Sequence, residues 1–407
     1  DRSIGTALVM GAGVAGIRAA LELAATGYQV LLTDSSPHIG GILTKLDFQF
    51  PSDHCDMCRM LPTVGREYAS QYCMRKHLFH DNIEIMPFTD VKAIQGDPGA
   101  FTVELVRRAR HVDTDICVGD GYCIKACPVE VPDEFNEGLT SRKAIYRPVP
   151  HNLPNMLVVD AQACTRCGEC IEVCPVGAID LEAQDEIHEV EVDAIVLAAG
   201  TELCDPADME EMSAYTASQD VVTALQFERM LSASGCFSGE IRRPSDGRPV
   251  KRIGWLQCVG SRNRRHGRDY CSSICCMFAL KQAVMAHKRN GPDMETTIFY
   301  MDMRTFEKDF YRYREYAEGE HGVRLVRCRV QGVDRLADGM LSIRYFDSGS
   351  GEFDLDEFDL VVLSTGQTPL KVKEKLEQMI VDLKIDEPAY YPSLTADKVQ
   401  SPKEGVY

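Results

Sequence analysis

The stretch "TALVMGAGVAGIRAALELAATGYQVLLTDSS", residues 6–36, decides the fold of the first part of the chain. An apolar strand leads into Gly11, Gly13 and Gly16, a helix of small and apolar residues follows, and a second strand ends at Asp34. Glycines permit a tight turn and close approach of a pyrophosphate, the helix N-terminus faces the phosphates, and an acid about 20 residues further on binds a ribose. The stretch therefore predicts a dinucleotide-binding βαβ unit.

The residues after the second strand favour FAD over NAD. "SPHIGGILTK", residues 36–45, places Gly40 and Gly41 where flavoproteins with two dinucleotide domains carry glycines. Lys45, at the end of this stretch, is grouped with the predicted cofactor-binding residues.

Two later strands end in the glycine turns typical of such flavoproteins. They are "VDAIVLAAGT", residues 192–201 with Gly200, and "FDLVVLSTGQTP", residues 358–369 with Gly366. Taken singly, each is also compatible with a buried strand that ends in glycine. As a pair they resemble the thioredoxin reductase superfamily, in which a second nucleotide domain interrupts an FAD domain.

Composition narrows the class of protein and its partners. The 407 residues are 44% hydrophobic, which suits two or three packed domains. The formal charge of −18 disfavours nucleic acid and anionic membranes as main partners. No long apolar segment or secretory leader is evident, so we expect a cytoplasmic protein without a membrane span. The 17 cysteines, mostly closely spaced, indicate metal ligation in a reducing compartment.

Two cysteine runs form an internal repeat. "DICVGDGYCIKACPVE", residues 115–130, and "ACTRCGECIEVCPVGAI", residues 163–179, superimpose after a shift of 47 residues, which is 164 minus 117. In the second run all four ligand positions of a bacterial ferredoxin motif are cysteines. In the first run Asp120 stands where the second run has Cys167.

The repeat predicts two clusters that exchange their fourth ligands, because in two-cluster ferredoxins the fourth cysteine of each run binds the other cluster. The predicted ligands of one [4Fe–4S] cluster are Cys164, Cys167, Cys170 and Cys127. Those of the other are Cys117, Cys123 and Cys174, with Asp120 at the fourth iron. We expect the carboxylate either to hold that iron weakly or to release it and leave a [3Fe–4S] centre; the alternative is a lost cluster site. The proline-rich segment between the runs is interpreted as a surface loop or a plain linker.

A third group of cysteines replaces the second nucleotide site. The strand "KRIGWLQCVGSR", residues 251–262, carries Cys258 where a second glycine loop is expected. "DYCSSICCMFALKQA", residues 269–283, then supplies three more cysteines. Four cysteines with an adjacent pair beside a helix predict another cluster; its predicted ligands are Cys258, Cys271, Cys275 and Cys276.

At these residues the chain resembles the HdrA family, the flavin- and iron–sulfur-containing component of heterodisulfide reductase, and its homologues in anaerobic bacteria. The resemblance also includes "FYMDMRTF", residues 299–306, and the Cys55/Cys58 pair, and it covers essentially the whole chain. It implies that the third group binds a [4Fe–4S] cluster and that Lys281 lies near the flavin and tunes it; a solvated helix lysine is the alternative. Asp120 departs from the family pattern, as does the end of the chain, where related flavoproteins continue into a final strand.

We therefore predict an α/β, thioredoxin-reductase-like flavoprotein with two dinucleotide domains and an inserted two-cluster ferredoxin domain of α+β type. The predicted divisions are the first part of the FAD domain (1–110), the ferredoxin insert (111–185), the second part of the FAD domain (186–245), the NAD-like domain with its own cluster (246–366) and an incomplete return to the FAD domain (367–407).

The resemblance implies an oxidoreductase that bifurcates electrons at FAD between a low-potential ferredoxin and a higher-potential acceptor, or runs the reverse reaction. Implied partners are other subunits of a heterodisulfide-reductase-like complex, ferredoxin, an electron-input subunit that oxidises hydrogen, formate or NADH, and a second copy of the chain. Two alternatives remain: a relay subunit of a larger reductase, for example one acting on aromatic acyl-CoA, or an NAD(P)H:ferredoxin oxidoreductase. A third cysteine, Cys73, joins the Cys55/Cys58 pair as a set without an assigned role.

Overall fold

The computed structural model describes residues 4–46, 80–150, 156–306, 308–368, 373–381, 383, 401 and 403–407. Cys55, Cys58 and Cys73 lie outside the described residues. In the part of the chain that is described, no helix is both long and apolar enough to cross a membrane.

The strands of the described residues are, in chain order, β1 (Thr6–Met10), β2 (Gln29–Asp34), β3 (Ile83–Pro87), β4 (Thr89–Asp97), β5 (Ala100–Arg107), β6 (Glu130–Pro132), β7 (Ser141–Lys143), β8 (Ile145–Tyr146), β9 (Val158–Val159), β10 (Glu186–Val192), β11 (Ala194–Leu197), β12 (Glu202–Leu203), β13 (Val221–Thr223), β14 (Arg252–Val259), β15 (Glu295–Tyr300), β16 (Arg324–Arg335), β17 (Leu341–Asp347), β18 (Phe353–Phe358), β19 (Leu360–Thr365) and β20 (Gln367–Thr368).

The helices of the same residues are α1 (Val14–Ala25), α2 (Tyr122–Ala126), α3 (Glu169–Glu172), α4 (Ser213–Ala217), α5 (Ala224–Leu231), α6 (Cys275–Asn290), α7 (Lys308–His321) and α8 (Lys373–Met379). Short 3₁₀ turns occur at Gly41–Lys45, Pro206–Asp208, Glu210–Met212 and Arg264–His266.

The first sheet is parallel, in the order β11-β1-β2-β3. Leu8 of β1 pairs with Leu31 of β2 on one side and with Ile195 of β11 on the other. Both faces of β1 are covered, which explains its unbroken apolar sequence. Helix α1 packs Ile17 and Ala20 into the core on one face. Since the chain returns on the opposite side of β1 as β11, a crevice forms at the carboxyl ends of these two strands.

An antiparallel sheet in the order β10-β5-β4 carries the insertion. Its residues Phe101, Val103 and Leu105 are fully buried in a core shared with the first sheet. Arg107, the last residue of β5, pairs with Glu186, the first residue of β10. The segment that contains both cysteine runs therefore leaves and re-enters this sheet through two adjacent strand ends.

The second large sheet has the order β13-β19-β14-β15-β16-β17-β18. The pairs from β13 to β16 are parallel and the last two are antiparallel. Helices α5, α6 and α7 contribute to a core that includes Phe227, Leu280 and Tyr313 and is centred on the fully buried Trp255. Trp255 donates a hydrogen bond from Nε1 to Gln282 Oε1 at 3.2 Å.

One boundary differs from the sequence-based division. The prediction assigned residues up to 245 to the FAD domain, but β13 pairs with β19 in the second sheet and α5 packs into the core of that sheet. Strand β13 has only three residues, so its sequence gives no clear signal of the sheet it joins. At the other end of the chain, Val406 bridges Ile195 of β11, which returns residues 405–407 to the first sheet.

Candidate functional site

The glycines of the first turn shape an open cradle at the N-terminus of α1. A Cβ atom on Gly11 would lie 2.2 Å from the Ala198 carbonyl oxygen, and one on Gly16 would lie 1.7 Å from the Gly11 carbonyl oxygen. Both positions therefore require glycine for close packing of turn, helix and β11. A Cβ atom on Gly13 would meet nothing within 4 Å, so space remains open above the helix N-terminus. This geometry fits a dinucleotide pyrophosphate.

The remaining predicted FAD residues surround this cradle. Asp34 Oδ2 accepts a hydrogen bond from the backbone N–H of Ala12 at 2.7 Å, which fixes the carboxylate beside the glycine turn. Gly40 and Gly41 both have positive φ, and a Cβ on Gly41 would lie 3.1 Å from the Cα of Gly13. The second glycine pair therefore packs directly against the first turn, as the sequence suggested for an FAD domain.

The two glycine turns at the strand ends differ in their surroundings. Gly200, with φ of +81°, would have nothing within 4 Å of an added Cβ atom and borders open space next to β11. A Cβ on Gly366 would lie 2.6 Å from Ser272 Oγ and 2.7 Å from the Ser261 Cβ. Gly366 thus allows the loops that carry the third group of cysteines to approach β19.

Two residues that the sequence did not single out have buried nitrogen atoms near the cradle. His38 Nδ1 and Arg110 Nη1 have no hydrogen-bond partner among the described residues. Burial lowers the pKa of His38 and lowers that of Arg110 to about 10. Unpaired buried donors of this kind are costly unless a ligand satisfies them. They are candidate contacts to the anionic part of a bound dinucleotide, and only His38, which lies between Asp34 and Gly40, carried a positional hint.

Lys45 does not point to a free site in the described structure. Its Nζ forms an ion pair with Glu137 of the segment between the two cysteine runs. The buried Arg229 of α5 donates hydrogen bonds to the Lys45 carbonyl oxygen at 2.9 Å and to Asn136 Oδ1 at 3.2 Å. Phe135 stacks under the Arg229 guanidinium at 4.0 Å. The interpretation of this segment as a surface loop or plain linker is therefore wrong, because it joins the FAD domain to α5.

The two cysteine runs have the same backbone conformation. Gly119 and Arg166 both have left-handed φ, as do Gly121 and Gly168, and each pair is separated by 47 residues (166 − 119 and 168 − 121). The left-handed φ of Arg166 is notable because only glycine adopts it without strain. Asp120 and Cys167 lie between these residues and so occupy equivalent positions.

The first predicted ligand set comes together around one cavity. Its lining includes Cys127 from the first run and Cys164, Cys167 and Cys170 from the second. The rest of the lining is mainly apolar, with Ile145, Val159 and Leu181. Burial, and then the neighbouring Cys164 thiol, raise the pKa of Cys170. The crossed assignment of Cys127 to the second run therefore agrees with the geometry.

The second predicted set is less enclosed. Burial raises the pKa of Cys123 to about 11, and the charges of Cys117 and Asp120 add to this rise. Cys117 and Cys174 pack against the same small core. Asp120 is exposed and its Oδ1 accepts a hydrogen bond from the backbone N–H of Tyr122 at 3.1 Å. Asp120 faces Cys123 as Cys167 faces Cys170, but its carboxylate reaches solvent.

The third set lies at the carboxyl end of β14 and the N-terminus of α6. Cys258 has φ of +64°, Cys271 precedes the helix, and Cys275 and Cys276 form its first turn. Burial raises the pKa of Cys275 to about 12, with the thiols of Cys258, Cys276 and Cys271 contributing in that order. All four thiols therefore face one another at the position where a second dinucleotide would meet a glycine loop.

These groups fit clusters better than single ions. No group of three or more His, Cys, Asp or Glu side chains within the described ranges has the geometry to hold one metal ion. In an iron–sulfur cluster each thiolate binds a different iron, so the four sulfur atoms stand further apart than around a single ion. Other described cysteines stand outside these sets; Cys204, for example, accepts a hydrogen bond from Arg268 at 2.7 Å.

Lys281 is buried on α6 and is therefore not a solvated helix residue. Its Nζ forms an ion pair with the fully buried Glu228 of α5. Gln282 Nε2 donates to the other Glu228 oxygen at 3.1 Å. The structure thus adds Glu228, which the sequence did not indicate, as the partner of the predicted flavin-tuning lysine.

Arg262 lies beside the third cysteine set. Its Nη2 donates to Asp302 Oδ2 at 2.8 Å, and its buried Nη1 has no hydrogen-bond partner among the described residues. The Arg262 guanidinium opposes the burial-raised pKa of Cys258. Its positive charge therefore faces the space that a cluster would occupy and favours the more negative, reduced form of such a cluster.

We expect Arg262→Gln to lower the midpoint potential of this cluster. Loss of about 1.4 kcal/mol, a modest value for a hydrogen bond to a charged group, corresponds to about 60 mV for a one-electron couple. An EPR-monitored redox titration measures the shift. Arg265→Gln, an exposed neighbour in the same loop, is the control. Equal potentials in wild type and Arg262→Gln would show that Arg262 does not face the cluster.

Comparison with protein families identifies two parts of the chain. Residues 7–55 match the FAD dependent oxidoreductase family, and residues 116–179 match the 4Fe-4S dicluster domain. In structure the chain is similar to thioredoxin reductase from T. acidophilum, with 14% identity, a TM-score of 0.47, and coverage of 99% of this chain and 88% of that one. Thioredoxin reductase from Lactococcus lactis gives 12% identity and the same TM-score over 99% and 88%.

Longer relatives match nearly the whole chain. An HdrA protein of Methanopyrus kandleri, the second iron-sulfur component of this type of its CoB--CoM heterodisulfide reductase, is 40% identical over 375 residues, 92% of this chain and 55% of the relative. The HdrA component of the H(2):CoB-CoM heterodisulfide,ferredoxin reductase of Methanothermobacter thermautotrophicus is 37% identical over 377 residues, again 92% and 55%. The chain thus spans about half the length of these relatives. Over that span it belongs to the HdrA family of heterodisulfide reductase components.

Proposed function

We propose that this chain is an FAD- and iron–sulfur-dependent electron-transfer part of a heterodisulfide-reductase-like complex. The observation that carries the proposal is the position of Cys258, Cys271, Cys275 and Cys276, which face one another where the second dinucleotide site of a thioredoxin-reductase-like fold would lie. The chain keeps the FAD cradle but replaces the nicotinamide nucleotide site with a cluster site. Bound FAD supplies the exchange between electron pairs and single electrons.

The described residues support three cluster sites. The cavity with Cys127, Cys164, Cys167 and Cys170 is the most complete, and the third set is the most buried. The Asp120 site has three cysteines and a solvent-exposed carboxylate, which suits a weakly held fourth iron or a [3Fe–4S] centre. Lys281, paired with Glu228, is the proposed flavin-tuning residue.

The finer proposal is that the flavin distributes electrons to a low-potential ferredoxin and to a higher-potential acceptor on a partner subunit, or collects them in reverse. Electrons would enter through a subunit that oxidises hydrogen, formate or NADH. Support comes from the names of relatives that are heterodisulfide,ferredoxin reductases. A simple relay is the other candidate. The order of the two one-electron potentials of the flavin separates these functions, since crossed potentials favour bifurcation and widely separated potentials in normal order favour a relay.

Anaerobic mixing of the loaded chain with NADH alone is expected to leave the flavin absorbance unchanged over seconds, because Cys258 stands in the turn that would hold the nucleotide phosphates. Dithionite in a parallel mixture should bleach the flavin and serves as the control. Rapid bleaching by NADH would contradict the proposal and favour an NAD(P)H:ferredoxin oxidoreductase. An EPR-monitored titration of the same sample then gives the flavin potentials and shows whether the Asp120 site gives the signal of a three-iron cluster.

A further inference from the structure

A large cleft opens beside the third cysteine set, at the carboxyl ends of β14, β15 and β16. Its volume is about 690 Å³. Cys258 and Arg262 contribute to one wall, Met209 and Met212 to another, and Arg329 to the side formed by β16. In an open α/β sheet this edge is where ligands bind, yet neither the FAD cradle nor the cysteine sets use the cleft itself.

The rim of the cleft is cationic in a chain whose formal charge is −18. Arg264, Arg265 and Arg329 line it and are exposed. None of the three makes an ion pair within the described ranges. Glu211, the only carboxylate in the described lining, already pairs with His266 at 3.1 Å. The cleft therefore presents three uncompensated positive charges.

A small nucleotide is a poor match for these charges. Its phosphates would need the backbone N–H groups of a glycine turn and a helix N-terminus, but Cys258 occupies the turn and Cys275 and Cys276 occupy the start of α6. The arginines stand at the exposed rim rather than inside the cleft. Such an arrangement suits a broad acidic protein surface, which long-range attraction guides into place.

The cleft also gives a direct approach to the third cysteine set. Cys258 is only partly buried and lines the cleft, whereas Cys275 and Cys276 are buried behind it. A carrier seated on the rim would bring its redox centre to the ligand of this set that lies nearest to solvent. The methionines of the lining can adapt to a partner surface, because the thioether side chain is unbranched and polarisable.

We propose that this cleft docks the acidic face of a small electron-carrier protein and passes electrons between that carrier and the cluster held by Cys258. The proposal rests on the proposed electron-transfer function and adds the surface where exchange occurs. One electron leaves the reduced cluster and enters the oxidised carrier, or the reverse, and no bond is made or broken.

The test is the rate of electron transfer between the full, cofactor-loaded chain and an acidic bacterial 2[4Fe–4S] ferredoxin in stopped flow at low ionic strength. The triple variant Arg264→Gln, Arg265→Gln, Arg329→Gln is expected to lower the second-order rate at least about tenfold, the lower end of electrostatic steering effects. The matched control is the triple variant Arg242→Gln, Arg248→Gln, Arg312→Gln, which removes the same net charge from residues that do not line the cleft. Unchanged cluster EPR spectra verify that both variants are intact.

The outcomes separate this proposal from the proposed function. A slow cleft variant with a normal control supports docking. Equal rates in wild type and both variants would overturn docking while leaving the electron-transfer function intact. No transfer to ferredoxin from wild type that dithionite has fully reduced would overturn the function, and the docking proposal with it. If added NADH blocks wild-type transfer and the cleft variant loses NADH binding, the cleft is a nucleotide site and docking is wrong.

Discussion

Replacement of Cys275 by serine is expected to remove about four of about twelve irons from the loaded chain, as three four-iron sites would hold. Cys275 is buried, and its Sγ lies 3.8 Å from the Thr365 carbonyl oxygen. A serine hydroxyl there is a harder and less acidic ligand than a thiolate, and the surrounding structure leaves no space for water to take its place. The EPR signal of the third cluster should disappear, while those of the ferredoxin-like insert remain.

Cys328→Ser is the matched control for this experiment. Cys328 is also buried in the second sheet and lines the cleft, and burial likewise raises its pKa to about 12. It belongs to none of the three cysteine sets, so its replacement should leave iron content unchanged. Equal iron in Cys275→Ser and wild type would show that the third set is not a cluster site.

Local patterns in the sequence predicted much of the fold. The run from Gly11 to Asp34 encodes strand, turn, helix and strand in consecutive residues, and the thioredoxin-reductase-like α/β class that it indicated is confirmed. The cysteine repeat works in the same way, because a fixed spacing sets both the backbone turns and the positions of the thiols. The dicluster family match confirms that part of the prediction. The ligand assignments themselves stay predictions.

Contacts between distant segments could not be read from the sequence. Glu228 meets Lys281 across 53 residues, and Lys45 meets Glu137 across 92. Neither carboxylate lies in a motif, since ion pairs between separate elements need only complementary charge and suitable packing. The boundary at 245 differed for a related reason, because β13 owes its place to pairing with β19, more than 100 residues away. The FAD cradle was predicted by its glycines, whereas His38 and Arg110 emerged only from their buried, unpartnered nitrogens.

Replacement of Glu228 by glutamine is expected to lower the free energy of unfolding by about 3 to 5 kcal/mol, the usual result of removing one partner of a buried ion pair. The variant keeps the shape of the side chain but leaves the Lys281 ammonium without a counter-charge. Urea unfolding followed by tryptophan fluorescence is well placed to measure the loss. Trp255 is the single tryptophan, and it contacts Gln282, which in turn contacts Glu228.

Two further variants give this result its meaning. Glu240→Gln makes the same chemical change in an exposed pair with Arg242 and should alter stability by no more than about 0.5 kcal/mol. The double variant Glu228→Gln, Lys281→Met should recover much of the loss, because it removes the unpaired charge. A double variant as unstable as the sum of the single ones would contradict a direct pair.

The same variants test whether the pair acts on the flavin. If Lys281 tunes the flavin, Glu228→Gln leaves its charge uncompensated, favours the electron-rich reduced flavin and raises the flavin midpoint potential. Lys281→Met removes that charge and should lower the potential. Opposite shifts would therefore support a tuning role that acts through charge. A loss of stability with unchanged potentials in both variants would assign the pair to the packing of α5 against α6 alone, and flavin tuning by Lys281 would be wrong.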